Sequence, residues 1–296
     1  MKYSTILCLL VALCFCSFAS ADNILLVSFD TLRADHVGCY GSATAKTPAI
    51  DSVAARGVVF KDTLTPTPFT LPAHISLLTG LIPPVHGVQD NGGFYLDSKI
   101  TTLAEVMKSR GFNTGAFVGA FPLDSRFGVD QGFDLYDDGY PTTNNVNEMT
   151  MPERNAEAVT NSALAWLEKM KTSNWFAWVH YYDAHFPYQP PEQFQKMFPN
   201  DGYSGEVAYA DSQLARILAF LKNSKQEEKT LTILTADHGE SLGEHQEATH
   251  GIFCYESTLR IPLIMAPFKP AVVDTRVRLI DVFPTILELK KVQQTG

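Results

Sequence analysis

The run Asn23-Ile24-Leu25-Leu26-Val27-Ser28-Phe29 offers almost nothing polar on either face of an extended chain, and that narrows the folds open to it. A strand with one wet face alternates polar and apolar residues, whereas a run like this one is covered on both faces, as in the middle of a parallel sheet. The pattern returns at Trp175 to Tyr182, Thr230 to Leu234 and Ile261 to Met265, with shorter runs at Val58 to Phe60 and Thr114 to Val118. Stretches with helical spacing or helix-end residues lie between them. These are Thr47 to Arg56 before Gly57, Thr101 to Arg110 before Gly111, about Glu153 to Met170, Glu206 to Leu221, and Asp281 to Leu289. Asp137 to Met151, rich in Asp, Gly, Thr and Asn, reads as a surface loop. Strands alternating with helices predict an α/β fold: a doubly wound, mostly parallel sheet with helices on both faces.

Folds of this class bind ligands beyond the carboxyl ends of their strands. Asp30, His185 and the pair Asp237-His238 all fall at such ends, on three different strands. Thr70-Leu71-Pro72-Ala73-His74 opens a further helix, since proline is tolerated in a first turn, and puts Thr70 at a capping position where the helix end favours an anion. Taken alone, Thr70 is an ordinary N-cap. Together, Asp30, Thr70, Asp237 and His238 make a mixed oxygen and nitrogen donor set suited to one divalent cation. A cation on Thr70 lowers the pKa of its hydroxyl and polarises a phosphoryl or sulfuryl oxygen, which makes Thr70 a candidate nucleophile. His74, one turn into the helix, is expected to hold the anionic oxygens or assist the nucleophile. His185 and His250 are expected to donate to the ester oxygens or protonate the leaving group. His180, inside a strand, reads as a core group; His36, His86 and His245 read as structural, and the charges from Glu240 to Glu247 as a solvated loop.

Residues 1–21 stand apart. Lys2, the apolar run Ile6 to Phe18 and Ala19-Ser20-Ala21 read as a signal peptide, too short for a membrane span, so the mature enzyme is expected outside the cytoplasm, periplasmic or extracellular. Three of the five cysteines fall in that segment; Cys39 and Cys254 remain, and two buried thiols are favoured over one bridge between them. Without Lys2 the formal charge moves from −9 to −10, and no basic cluster suggests nucleic acid as a partner. The partner expected is a small anionic ester, with local positive charge supplied by the cation.

At this point the residues carry a resemblance. Asn23 to Asp30, Gly38-Cys39-Tyr40-Gly41, Thr47 to Asp51, Thr70 to Gly80, His86-Gly87-Val88, Thr102 to Glu105 and Gln131 to Asp134 belong to it. So do His185 to Tyr188, Thr235 to Gly239, Tyr255-Glu256, Arg260-Ile261-Pro262 and Asp281 to Thr285. Over nearly its whole length the chain resembles the sulfatase branch of the alkaline phosphatase superfamily. The resemblance implies an α/β/α fold, one divalent metal, and hydrolysis of sulfate or phosphate-type esters through a covalent intermediate on the residue at Thr70.

Several positions depart from the pattern. The Cys of the sulfatase Cys-x-Pro-Ser-Arg motif, which becomes formylglycine, is Thr70 here, and its Arg is His74. The second Asp of the family's first pair is Thr31, the Asn metal ligand is His238, and the Lys-x-His pair after the next strand is lost at Gly119 to Pro122. A threonine nucleophile resembles that of phosphodiesterases and phosphoethanolamine transferases, and the Asp-His pair that of phosphonate monoester hydrolases. Against the latter, Asn91 matches a substrate-binding Asn and His250 a Lys. Calcium is implied by the sulfatase resemblance, while His238 favours manganese or zinc. Two further readings stay open: a phosphoryl or phosphoethanolamine transferase using Thr70, and an inactive sulfatase-like binding protein. Residues 22–296 are expected to form the catalytic domain without the usual carboxyl-terminal subdomain, and the sequence says nothing of oligomeric state.

Overall fold

The structure is a computed structural model describing residues 22–140 and 153–292, so the signal-peptide reading and most of the 137–151 loop lie outside the described residues. Its elements, in chain order, are β1 (Asn23–Phe29), α1 (Pro48–Ala54), β2 (Val58–Leu64), α2 (Thr70–Thr79), α3 (Pro83–His86) and α4 (Leu103–Ser109). They continue with β3 (Asn113–Val118), β4 (Leu135–Asp137), α5 (Ala156–Lys169), β5 (Trp175–Tyr181), α6 (Glu192–Met197) and α7 (Gly202–Asn223). The last are β6 (Thr230–Ala236), α8 (Glu256–Leu259), β7 (Arg260–Ala266), β8 (Ala271–Val273), β9 (Val277–Arg278) and α9 (Val282–Leu289).

The strands form one sheet in the order β4-β3-β5-β1-β6-β7-β2-β8, with β9 also on β2. Only β7 runs against its neighbours β6 and β2; the other pairings are parallel. That is the mostly parallel α/β sheet the apolar runs predict. Strands β1, β5 and β6 are buried along their whole length because helices cover both faces. Helix α7 packs against α5, α1 and α6, while α2 packs against α3, α4 and α9. The short strands β4, β8 and β9 and the helix α6 were not expected from the sequence, since runs this short carry too little periodicity. Among the described residues no helix is long and apolar enough to cross a membrane.

Helix ends largely follow their residues. Thr102 closes a capping box on α4: its hydroxyl accepts from Glu105 N at 3.2 Å, and Glu105 Oε2 accepts from Thr102 N at 2.8 Å. Thr70 does not cap. Phe69 is the N-cap of α2 and Thr70 its first helical residue, so the hydroxyl is left for other partners. The two thiols are free, as favoured, but only Cys39 is partly covered; Cys254 is exposed, because it lies in the loop after His250 and not in the core.

Helix α7 buries an acid. Glu206 is 6% exposed, its Oε1 accepts from Gln189 N at 2.6 Å, and its Oε2 has no partner. Burial, with the Asp183 carboxylate adding to it, pushes Glu206 up to about 8. A carboxyl raised in the folded state contributes stability below its unfolded pKa and loses it as pH climbs through the folded value. Glu206→Gln is therefore expected to raise the thermal midpoint relative to wild type at pH 9 and to change it little at pH 5. Thermal melts at the two pH values check this.

Candidate active site

Sheet register brings the two strand-end aspartates together. Phe29 of β1 lies beside Ala236 of β6, so Asp30 and Asp237, each the next residue, are neighbours at the carboxyl edge. Both are fully buried. Helix α2 starts over this edge and carries Thr70, 2% exposed, to within 3.5 Å of His238 Nε2 through its Oγ1. His238 Nδ1 lies 2.9 Å from Gly239 O, and a carbonyl there requires the ring proton on Nδ1. Nε2 thus presents a lone pair, 3.4 Å from Asp237 Oδ2 and 3.7 Å from Asp30 Oδ1. Gly239 makes this corner: its N–H donates to Thr258 O at 2.8 Å, and a Cβ there would lie 2.1 Å from Ser257 O.

A lone pair and two ionised carboxylates facing one another at a buried corner repel, and a cation between them relieves that repulsion. Neither oxygen of Asp30 and not Oδ2 of Asp237 has a hydrogen-bond partner, although all three are buried. Asp237 Oδ1, by contrast, accepts from His238 N at 2.7 Å and Thr31 N at 3.2 Å. The Asp30, Asp237 and His238 donor atoms lie within 4.8 Å of one another. Burial and then the Asp30 charge push Asp237 well above the carboxylate range. Burial alone would raise Asp30 too, but the surrounding imidazoles, His180 first, hold it well below. Burial, with His250 adding to it, pushes His238 down to about 3 and keeps it neutral, as a ligand must be. Asp30, Asp237 and His238 could hold one divalent cation, and the Thr70 hydroxyl lies 3.5 Å from the His238 member of that set.

Around that centre the other expected residues take different positions. His185 stacks on Tyr182 at 4.4 Å between ring centroids and stands 5.1 Å from the His250 ring, which is 4.4 Å from that of His238. His185 Nδ1 donates to Phe186 O at 2.8 Å, and burial lowers its pKa. Asn91 Oδ1 accepts from Leu71 N at 2.8 Å, satisfying a donor at the start of α2 beside Thr70. His74 is different. It is fully buried, Nδ1 donates to Thr70 O at 2.8 Å, and Nε2 pairs with Ser28 Oγ at 2.9 Å. In this arrangement neither ring nitrogen is left for an ester oxygen, because the i to i+4 geometry of α2 turns the ring down onto the sheet.

The stretch expected to be a solvated acidic loop is only partly so. Glu244, His245 and Gln246 are exposed, but Glu240 is fully buried and Glu247 is 3% exposed. Glu247 accepts from Ile252 N at 2.8 Å and Ser241 Oγ at 3.1 Å. Glu240 accepts from Tyr188 Oη at 2.9 Å, Ser241 N at 3.1 Å and His250 Nδ1 at 3.2 Å. Burial disfavours the charged ring of His250, but the Glu240 carboxylate outweighs it and raises His250 above the ordinary value. Local sequence shows the charges of this stretch and not the distant donors that make their burial tolerable.

Thr31 stands where the resembling pattern carries a second Asp, and it is held in left-handed backbone at φ 54°. Its hydroxyl donates to Ala184 O at 2.6 Å and its carbonyl accepts from Tyr203 Oη at 2.7 Å, so the side chain is turned away from the carboxylates. His180, read from sequence as a core group, is indeed fully buried, yet its Nε2 is 3.4 Å from Asp30 Oδ2. The clue available in the sequence was its place next to the end of the strand that leads to His185; the register against Ser28 was not.

Comparison with known proteins shows the family of this chain. The Sulfatase family model matches residues 22–292. "Uncharacterized sulfatase YidJ" of Escherichia coli K12 is 26% identical over 92% of this chain and 68% of its own length. Iduronate 2-sulfatase of Mus musculus is 24% identical over 84% of this chain, which spans 60% of that relative. Among solved structures, phosphonate monoester hydrolase of Agrobacterium radiobacter superposes with a TM-score of 0.78 at 22% identity, covering 90% of this chain and 73% of that one. At that identity the likeness carries the fold.

Proposed function

The chain belongs to the sulfatase family, and from that premise we propose that it is an exported, metal-dependent hydrolase of sulfate or phosphate-type esters with Thr70 as nucleophile. The observation that supports this most directly is the convergence of the Thr70 hydroxyl, at 3.5 Å, on the same His238 nitrogen that faces Asp30 and Asp237. When bound, a divalent cation supplies Lewis acidity that makes the hydroxyl easier to ionise and the ester centre easier to attack.

The residues divide the work as follows. Asp30, Asp237 and His238 would hold the cation, with the Thr70 hydroxyl beside them. Thr70 Oγ gives up its proton to solvent and forms a bond to phosphorus or sulfur while the bond to the leaving oxygen breaks. His250, its Nδ1 side on Glu240, turns its other nitrogen to the ester and gives a proton to the leaving alcohol. The Asn91 amide N–H donates to an ester oxygen, and His185, whose Nδ1 proton is committed to Phe186 O, does so from Nε2 when its ring is protonated. Water attacking the phosphorus or sulfur then frees Thr70. Threonine has no second hydroxyl on its carbinol carbon, so the intermediate cannot be released by elimination, which favours the phosphorus ester.

Assays of sulfate monoesters, phosphate mono- and diesters and phosphonate monoesters, each with Mn²⁺, Zn²⁺ or Ca²⁺, test the reading. The expected result is metal-dependent turnover, fastest on a phosphorus ester. Label passing to an added alcohol in preference to water would show a transferase. No turnover of any ester with any of the three metals would overturn the enzyme reading in favour of a binding protein.

A further inference from the structure

The reaction as derived leaves His180 without a part, although its buried Nε2 faces a metal-binding carboxylate at 3.4 Å and has no hydrogen-bond partner of ordinary geometry. We propose that His180 is a positioning residue that braces Asp30 from the protein interior, presenting an N–H and not a lone pair. The inference rests on the assignment of Asp30 as a metal ligand.

Proton positions follow from partners that can act in one sense only. Gly119 N–H points at His180 Nδ1 at 3.4 Å, so that nitrogen is bare and the proton is on Nε2, toward Asp30 Oδ2. Thr70 O is a carbonyl, so His74 carries its proton on Nδ1 and donates it there at 2.8 Å, leaving Asp237 Oδ2, 3.6 Å away, outside hydrogen-bond reach. A second chain of donors agrees: the Trp178 indole N–H donates to Ser28 Oγ at 2.9 Å, and the Ser28 hydroxyl donates to His74 Nε2 at 2.9 Å. His238 is the opposite case, with its Nδ1 proton donated to Gly239 O and its Nε2 lone pair toward the carboxylates. The three histidines at these aspartates therefore differ in kind. His238 offers electrons to a cation, His180 offers a proton to an oxygen that binds it, and His74 gives its proton to the Thr70 carbonyl.

Donor spacing by itself would allow another reading. His74, His180 and Asp237 also place ligand atoms within 4.8 Å of one another, which is close enough for a second cation beside the first. A cation there would face two N–H groups, and binding it would strip the Thr70 carbonyl and the Gly119 N–H of their partners. The tautomers favour bracing. Sheet register explains why His180 can do this: it lies beside Ser28 in β1, two residues before Asp30, with its ring 4.7 Å from that of His74.

Outer-shell groups that orient metal-binding side chains are typically worth about 10- to 100-fold in metal affinity. The test uses the full chain, stripped with EDTA and titrated with Mn²⁺, with bound metal counted by elemental analysis. His180→Phe keeps a buried ring and is expected to weaken Mn²⁺ binding within that range, with one ion per chain and a metal-free thermal midpoint near wild type. His180→Gln, whose amide N–H reaches about the place of Nε2, is expected to restore most of the affinity. Unchanged affinity in His180→Phe overturns the proposal. So does uptake of two ions by wild type and one by His180→Phe, which would make His180 a ligand. Should the Phe variant fail to fold, the imidazole ¹⁵N shifts of the metal-free wild type decide: a proton on His180 Nδ1 overturns the proposal, and one on Nε2 supports it. Asp237→Ala run alongside separates the two levels, since Mn²⁺ binding that survives it would sink the metal site itself.

Discussion

Thr70→Ala is expected to lower kcat on the best ester by about three to six powers of ten, the range seen when a covalent nucleophile is removed. The fold should be unaffected. Thr70 is the first residue of its helix and not the cap, its hydroxyl makes no bond to the helix backbone, and alanine is a good helix former there. The side chain is 2% exposed, so the deletion leaves a small gap and no stranded donor. Thr70→Ser, which keeps the hydroxyl, should retain measurable turnover, and the intermediate should appear by mass as an adduct on the peptide containing residue 70. Steady-state rates and that adduct check the prediction. An alanine variant within tenfold of wild type would mean that some other group attacks.

Asp237→Asn is the second. The Asn oxygen can still accept from His238 N and Thr31 N, at 2.7 and 3.2 Å in wild type, so the local backbone should hold. The charge on the other oxygen, aimed at Asp30 and His238, is gone. Mn²⁺ affinity is expected to fall by more than about 100-fold, since a ligand should outweigh the outer-shell groups. Without metal, the variant should be as stable as wild type or more so, because burial and the Asp30 charge both oppose an ionised Asp237. With metal, the comparison inverts. Wild type gains about 2.7 kcal/mol at a free metal concentration 100 times its Kd, and the variant gains little at that concentration. Thermal melts with and without Mn²⁺ read both signs, and a variant whose midpoint still rises with Mn²⁺ as in wild type would remove Asp237 from the ligand set.

The local sequence carried much of the architecture. Burial on both faces dictates the composition of β1, β5 and β6, so apolar runs with no wet side marked them, and helix stops at Gly57 and Gly111 marked the segments between. The α/β class followed, and with it the expectation that Asp30, His185 and Asp237-His238 lie along one edge. Short elements such as β4, β8 and β9 were missed because three residues hold no readable period. Capping chemistry was legible at Thr102, where the box is entirely local, and misleading at Thr70, where the chain enters its helix one residue early.

What the tertiary structure alone decided concerns contacts between residues far apart in the chain. Strand order put β1 between β5 and β6, and register set Asp30 against Asp237 and His180 against Ser28. Those pairings made a core histidine a neighbour of the carboxylates and gave Glu240 a tyrosine 52 positions away and a histidine 10 positions away. Residue types set what each group can donate or accept, and the apolar period set which strands are buried. Which nitrogen of each imidazole carries its proton, and so which histidine can bind a metal, depends on the partner that folding brings to the ring. That partner is a tertiary contact, and no local pattern encodes it.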